Sequence, residues 1–505
     1  MPRPLLFALL GLTTLAVAGL LLASLPADRE GADDAEQDGA STAEADAEDS
    51  SDEDAEDDPD DEPDPDRGEV EIEGLAHPTD VEPVRELDDD VVAAIEDRIA
   101  EAEPLERVSV AVAGPDGVVQ LDHDADEPRV PASSVKLLTA ARALEVFDRD
   151  HRFTTEVRAT SPVEDGVVTG DLVLVGGGDP VLGEPWQQDA NPQRPRTPLE
   201  DLAEEVAAQV EEVEGTVLAD ARVLPDEPEP EGWTQRYLDR GHTGYSSGLA
   251  LNAGRELFER GDDLVASPAE DPALEAATVL IELLEDADVA VADDDPAHVD
   301  ADAEHDGEAL ATIESPPLDE LLVHTVQESD NHLADGLWRM TAAEEGDGSW
   351  EDAESLARTS LARRGIDPTA ARLPDGSGLS VDARLSARQL VSLDVLERRA
   401  PHGGLWTDLM AVAGESGTLE PRLVGTEAEG RVRGKTGTLR DARSLTGHVQ
   451  GPTGRWHLAV LADGLEGEAL PEALPLIDDL ALILARDLLG CDPDGCNEDE
   501  DAPTD

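Results

Sequence analysis

Ser133 and Lys136, in PASSVKLL (residues 131–138), stand three residues apart, a spacing that projects both side chains from one face of a helix. A desolvated lysine can give up its proton and act as a base, which arginine does not do in proteins. On a shared helical face, Lys136 could take the hydroxyl proton of Ser133 and make the oxygen nucleophilic, while the helix N-terminus would favour the developing anion. The use of bases along the chain sharpens this reading. Lys and Arg together number 36, and only two are Lys, so the lysines mark places where arginine fails. The second, Lys435, lies in RVRGKTGTL (residues 431–439). On a strand Lys435 and Gly437 would share a face, and glycine at a strand edge lets a substrate backbone come close; a polar edge strand is the plainer alternative. Between the lysines, QESDNHLAD sets Ser329 and Asn331 two apart at a loop or helix junction, where both could point into one cavity. Helix capping is the ordinary alternative for such a tripeptide.

In chain order these stretches read S-x-x-K, S-D-N and K-T-G, the signature set of penicillin-binding proteins and serine β-lactamases. Ser133 and Ser329 are 196 residues apart, and Ser329 and Lys435 are 106 apart, which leaves room for a domain inserted after the first motif. That layout resembles the D-alanyl-D-alanine carboxypeptidase/endopeptidases, the class C low-molecular-mass penicillin-binding proteins, over roughly residues 85–490. LVLVGGGDPVL, SPPLDELL, LPDGSGLS (373–380) and AGESGTLEPRL add to the likeness. The resemblance implies a penicillin-binding/serine β-lactamase-like transpeptidase fold of α/β (α+β) class: an antiparallel sheet flanked by helices, with a large inserted mixed α/β domain. It implies Ser133 as the nucleophile on a D-Ala–D-Ala bond or a D-Ala–diamino-acid cross-link, Lys136 as its base, and Ser329 as a proton relay to the leaving amine. Asn331 would hold the substrate amide and orient Lys136. Lys435, Thr436, Gly437 and Thr438 would bind the substrate, with Lys435 supplying positive potential and the threonines holding a carboxylate. The N–H groups of Ser133 and Thr438 would form the oxyanion hole. Peptidoglycan stem peptides and β-lactam antibiotics would be the partners, with no metal or cofactor.

The elements that carry these residues follow from periodicity. DDDVVAAIEDRIAEAEP has the helical spacing of Val92, Ile95 and Ile99; RVSVAVAG and VVQLD read as strands joined by a tight turn. A helix is expected over SSVKLLTAARALEVF, burying Leu137, Leu138, Ala141 and Leu144. Residues 151–315 read as the inserted block: strands ending in the glycine turn of VGGGDP, a helix over TPLEDLAEEVAAQVEEV with a Thr cap and acidic first turn, a strand in EGTVLADARVL, then helix and strand over ALEAATVLIELLEDADVAVADD. From residue 316, PLDELLVHTVQESDNHLADGLWRM is expected to be helical with a break at Ser329. RWHLAVLAD should be a buried strand and PEALPLIDDLALILARDLLG an amphipathic helix. The catalytic part is thus 83–150 plus 316–490, with the insertion looped out between them.

The termini and the charge restrict the setting. Arg3 precedes an uncharged run from Leu5 to Ala27, an export signal or a retained membrane anchor; the lack of a clean A-x-A site favours the anchor. Either reading puts the rest of the chain outside the cytoplasm, secreted or on the outer face of the membrane. From Asp28 to Asp66 there are 21 acids and one base, an extended acidic linker that runs on to residue 82. The formal charge of −83 over 505 residues repels nucleic acid and anionic headgroups and suits high salt. Cys491 and Cys496 are expected to pair in a small disulfide loop ahead of the acidic tail.

Three rival chemistries are weaker. GYSSG offers Ser246 as a hydrolase nucleophile, but the polar RYLDRGHT before it is no buried strand. VGGGDP fails the dinucleotide spacing at Val181. The acidic run at 293–308 lacks the glutamate of a calcium loop, with Ile313 in its place, and the histidines, His324 and His332 among them, show no metal spacing.

Overall fold

The computed structural model describes residues 85–260, 263–301 and 307–496. The export segment, the acidic linker and the acidic tail lie outside the described residues. No helix among the described residues is long and apolar enough to cross a membrane.

Alternation of apolar residues builds the main sheet. Along Gly454–Asp463, Ala459 and Leu461 join one core and Leu458, Val460 and Ala462 join another, because successive side chains leave a strand on opposite faces. This strand is buried on both sides, so its sequence runs as a near-continuous apolar stretch. It pairs antiparallel with Ala442–Gly451 and with Val108–Ala113; Val119–His123 continues the sheet on one side, Val432–Thr438 and Ala411–Val412 on the other. The Asp89–Glu101 and Ala469–Leu489 helices cover one face. The Val135–Val146 and Ala387–Arg399 helices cover the other. The expected antiparallel sheet flanked by helices is what forms.

The Val135–Val146 helix is central. Every residue from Val135 to Ala143 is buried, so the helix has no solvent face over its first turns, while Leu144 is only partly covered. Leu137 and Leu138 are each fully buried and contribute about 2 kcal/mol apiece by area. The Asn331–Glu345 helix packs against it, which brings the second motif to the first.

A second sheet is built from residues that fall, along the chain, between the two halves of the first. Its order is Ala297–His298, Val217–Asp220, Leu172–Gly176, Thr154–Ala159, Ala309–Glu314, and it has its own apolar core with the Leu199–Ala207 and Pro272–Asp286 helices. Val217–Asp220 runs parallel to both neighbours; the remaining pairs are antiparallel. The expected Thr cap is replaced: Pro198 is the N-cap with no side-chain bond, because Thr197 pairs as strand with Leu182 and its N–H binds the Val181 carbonyl. The acidic first turn of Glu200 and Asp201 forms as read.

The insertion is not looped out. Residues 224–242 turn back onto the catalytic part, where buried Arg339 donates to the carbonyls of Pro225 (2.7 Å) and Glu227 (3.0 Å). Trp350 Nε1 also donates to Glu227 O, at 2.9 Å. In VGGGDP, Gly178 has φ +76° and a Cβ there would fall 2.0 Å from Met340 Sδ, so the glycine permits close packing. Cys491 and Cys496 are bonded at the end of the last helix.

Under the main sheet's inner face lies a group not visible as a spacing. Asp394, His448 and His457 bring ligand-type atoms within 4.8 Å of one another, all buried. Asp394 accepts from Trp406 Nε1 (2.8 Å) and bonds His457 Nδ1 (2.6 Å). His448 Nδ1 lies 3.5 Å from Asp394 Oδ2, and neither ring nitrogen makes a close hydrogen bond among the described residues. Burial pushes its pKa down to about 4 from 6.5. The unfolded chain therefore takes up that proton as pH falls through 6.5 and the folded chain does not until about 4, so His448 costs stability progressively across this window. His448→Leu is expected to gain roughly 2 kcal/mol relative to the parent between pH 7.5 and pH 4.5, read as the change in the difference between their denaturation midpoints. A gap independent of pH would contradict the assignment.

Candidate active site

Ser133 sits on a strained turn gripped from two sides. Ala132, before it, has φ +47°, a left-handed conformation that costs a non-glycine residue energy. The three-residue turn Ala132–Ser134 leads directly into the Val135–Val146 helix. Ser134 Oγ bonds Ser444 Oγ at 2.8 Å, and Ser444 Oγ donates to the Pro131 carbonyl at 2.7 Å, so the sheet holds the turn. Two glycines make room for it. A Cβ on Gly437 would lie 2.7 Å from Pro131 O, and one on Gly378, at φ +78°, would lie 1.9 Å from Ala132 O. Gly437 thus faces the Ser133 turn and not the cleft.

Lys136 Nζ lies 3.1 Å from Ser133 Oγ, 2.7 Å from Asn331 Oδ1 and 2.6 Å from the Ser377 carbonyl. A neutral amine has two N–H groups and one lone pair. Two carbonyl-type oxygens accept the N–H groups, which turns the lone pair toward the Ser133 hydroxyl. Lys136 is completely buried, and that burial brings its pKa down to about 8 even though Asp335, Asp375 and Asp330 pull it up.

The Ser377 carbonyl is aimed by two buried carboxylates. Asp335 Oδ1 accepts from the N–H groups of Gly376 (3.0 Å) and Ser377 (2.9 Å). Asp375 accepts from Gly378 N, Ser380 N and Trp233 Nε1. Burial raises the pKa of both acids, Asp335 the more, with repulsion from Asp375 adding to the rise of Asp335. Asp335 follows Asn331 by four residues on one helix, so both face Lys136; that spacing was the available signal for it. The acceptor on Ser377 is a main-chain atom and had no signal beyond the LPDGSGLS stretch.

Ser329, Asp330 and Asn331 fall at the expected break: Ser329 has φ +61°, and Asp330 caps the Asn331–Glu345 helix by accepting from Leu333 N at 3.0 Å. Ser329 and Asn331 line a cleft of ≈ 680 Å³ together with Ser133, Thr436 and Thr438. Asn331 Nδ2 donates to the His242 carbonyl of the insertion, at 2.9 Å. Arg236, Tyr237 and His242 form one wall of the cleft, a contribution from the insertion that no motif announced. Arg440 also lines it and Arg433 does not.

On the Val432–Thr438 strand, Thr436 and Thr438 face the cleft, with Thr436 Oγ1 donating to Thr418 Oγ1 at 2.8 Å. Lys435 is fully buried behind them, its Nζ on the Thr436 carbonyl at 2.8 Å. Burial, and then repulsion from Lys136, hold its pKa well below the ordinary lysine value. None of Asp394, His448 and His457 lines this cleft. Ser246, the rival nucleophile, is buried and accepts from Arg339 Nη1 at 3.2 Å.

Known proteins resemble the chain over most of its length. The model of the "D-Ala-D-Ala carboxypeptidase 3 (S13) family" matches residues 91–260 and 264–482. A D-alanyl-D-alanine carboxypeptidase of Actinomadura sp. is 32% identical over 474 residues, covering 79% of this chain and 85% of that protein. Carboxypeptidase DacB of Mycolicibacterium smegmatis is 32% identical over 366 residues, covering 71% and 75%. In fold, the chain is similar to penicillin-binding protein 4 from Haemophilus influenzae, with a TM-score of 0.66 at 17% identity over 78% of this chain and 99% of the other.

The geometry at Lys136 sets an expectation for the reactivity of Ser133. Acylation of Ser133 by a serine-directed reagent should rise with pH through a midpoint near 8, as the free amine of Lys136 appears. Lys136→Arg should lower the acylation rate by about 10³-fold or more, since arginine keeps its proton. A flat profile between pH 6 and 9.5, or a reactive Lys136→Arg variant, would contradict it.

Proposed function

The chain belongs to the D-Ala-D-Ala carboxypeptidase 3 (S13) family, and from that premise we propose that it is a serine DD-peptidase acting on peptidoglycan stem peptides through an acyl-enzyme on Ser133. One observation carries the reading: the tripod around Lys136 Nζ, with two oxygen acceptors and the Ser133 hydroxyl as the third neighbour.

In the proposed reaction, Ser133 Oγ attacks the carbonyl carbon of the penultimate D-Ala and its proton passes to Lys136 Nζ. The tetrahedral oxyanion is held by the N–H groups of Ser133 and Thr438. As the C–N bond breaks, the leaving amine takes a proton from Lys136 through Ser329. The amine is D-Ala in the carboxypeptidase reaction and the diamino acid of a cross-link in the endopeptidase reaction. Water then attacks the ester, Lys136 again serving as base, and frees Ser133. The strained turn at Ala132 and the φ of Ser329 hold both hydroxyls at the cleft before substrate arrives.

The substrate carboxylate would sit against the hydroxyls of Thr436 and Thr438, in front of Lys435. Because Lys435 is pushed toward its neutral form when the cleft is empty, an anion there would draw a proton onto it, so carboxylate binding and protonation are linked. Arg236 and Arg440 on the cleft walls would offset locally the chain's large negative charge. A β-lactam would present the same carbonyl and carboxylate and leave its acyl group on Ser133. The reaction belongs outside the cytoplasm, where the N-terminal run of residues 5–27 would deliver the chain.

The test uses fluorescent penicillin and a D-Ala–D-Ala pentapeptide. The wild type should be labelled covalently and should release D-Ala, and Ser133→Ala should do neither. Labelling of Ser133→Ala equal to wild type would overturn the assignment. Labelling without D-Ala release, from pentapeptide or cross-linked peptide, would replace the enzyme with a penicillin-binding sensor on the same fold.

A further inference from the structure

The second motif is held from the far side by the insertion. Asp330 lies between Ser329 and Asn331, whose side chains face the cleft, while its own carboxylate turns away from it. There it meets Arg194, which comes from the insertion and is 7% exposed. Arg194 Nε donates to Asp330 Oδ2 at 2.7 Å. The rest of the guanidinium is anchored within the insertion: Nη1 to Gln187 Oε1 at 3.2 Å and Nη2 to the Pro180 carbonyl at 3.3 Å. Asp330 is otherwise engaged by Leu333 N at 3.0 Å and lies 3.5 Å from His324 Nε2.

Geometry makes this contact more than a surface tie. Ser329 is held at φ +61°, a conformation that persists only where its surroundings impose it. Asn331 supplies one of the two acceptors that orient Lys136. Both residues are one peptide bond from the Asp330 Cα, so displacement of Asp330 moves both. Burial alone would raise the Asp330 pKa, yet Arg194, His324 and the Leu333 N–H together hold it well below the usual carboxylate range. The carboxylate is therefore ionised at every working pH, and Arg194 is its strongest ionic partner. Arginine suits the position because its planar fork reaches Asp330, Gln187 and Pro180 at once, which a lysine point charge does not.

We propose that Arg194 is a positioning residue for the reaction, through which the inserted domain clamps Asp330 and so sets Ser329 and Asn331 against Ser133 and Lys136. The inference rests on the acyl-enzyme reading and adds a role for the insertion within the chemistry. Misplacement of such groups by about 1 Å costs on the order of 100-fold in rate.

The experiment measures penicillin acylation rates per folded molecule in the full chain, with thermal midpoints alongside. It compares wild type, Arg194→Ala, Arg194→Lys, Asp330→Asn and the double variant Arg194→Ala/Asp330→Asn. Arg194→Ala is expected to lose about 10- to 100-fold. Asp330→Asn keeps a competent helix cap, so its comparable loss reports the ion pair. The double variant should be no worse than the worse single one, because the two residues act as a unit. Arg194→Lys should recover part of the rate, an effect that a purely structural tie would not show at equal thermal stability. Should Arg194→Ala fail to fold, Arg194→Lys and Asp330→Asn carry the same comparison. Rates within twofold of wild type in the folded single variants, or losses that simply multiply in the double variant, overturn the inference. Absence of wild-type acylation would instead remove the acyl-enzyme reading beneath it.

Discussion

A buried amine with its two N–H groups already accepted is the constraint on which the rest of the structure turns. Lys136 is fully enclosed, and burial of a charged ammonium is costly unless neighbours compensate it. Here the compensation is partial. Asp335, Asp375 and Asp330 pull the pKa up, burial pushes it further down, and the balance near 8 leaves the amine able to hold or release a proton under ordinary conditions. A fully paired ammonium would be a structural ion; an unpaired one would be permanently neutral.

Much of the architecture can be understood as support for that one group. The Val135–Val146 helix is buried on all sides from Val135 to Ala143, which brings Lys136 beneath the cleft. The carboxylates of Asp335 and Asp375 fold residues 375–380 into a turn whose carbonyl meets Nζ. Gly437 and Gly378 are bare so that the Ser133 turn can lie against the strand and against this turn. The insertion contributes in three places: its Trp233 donates to Asp375, its His242 carbonyl takes the amide of Asn331, and its Arg194 takes the carboxylate of Asp330.

What was legible in the sequence was whatever repeats locally or is rare. Helical spacing placed the helix that follows Ser133 and the helices either side of Ser329, and apolar runs placed Val108–Ala113, Val119–His123 and Gly454–Asp463 of the main sheet, while Ala442–Gly451 was not read. The scarcity of lysine pointed to Lys136 and Lys435 before any motif was matched. The missed features have physical reasons. The acceptor on Ser377 and those on His242 and Pro225 are main-chain carbonyls, which carry no residue identity. Arg194 and Asp330 are 136 residues apart, and no local pattern joins them. Thr197 looked like a helix cap because caps are short-range, but strand pairing with Leu182 claimed it. Gly437 was read as opening the strand to substrate, whereas its open side receives the turn that carries Ser133. His448 and His457 meet only because their strands are in register, opposite Asp394 on a helix.

The chain's two lysines make the central claim directly observable. Protein labelled with ¹³C at lysine Cε should give two side-chain signals, assigned with Lys136→Arg and followed by NMR from pH 6 to 11. The account predicts that the Lys136 signal titrates near 8, well below the ~10.4 of a free lysine. A Lys136 signal that remains that of an ammonium up to pH 10 would contradict it, because the amine proposed to take the Ser133 proton would then be absent at any pH where the enzyme works.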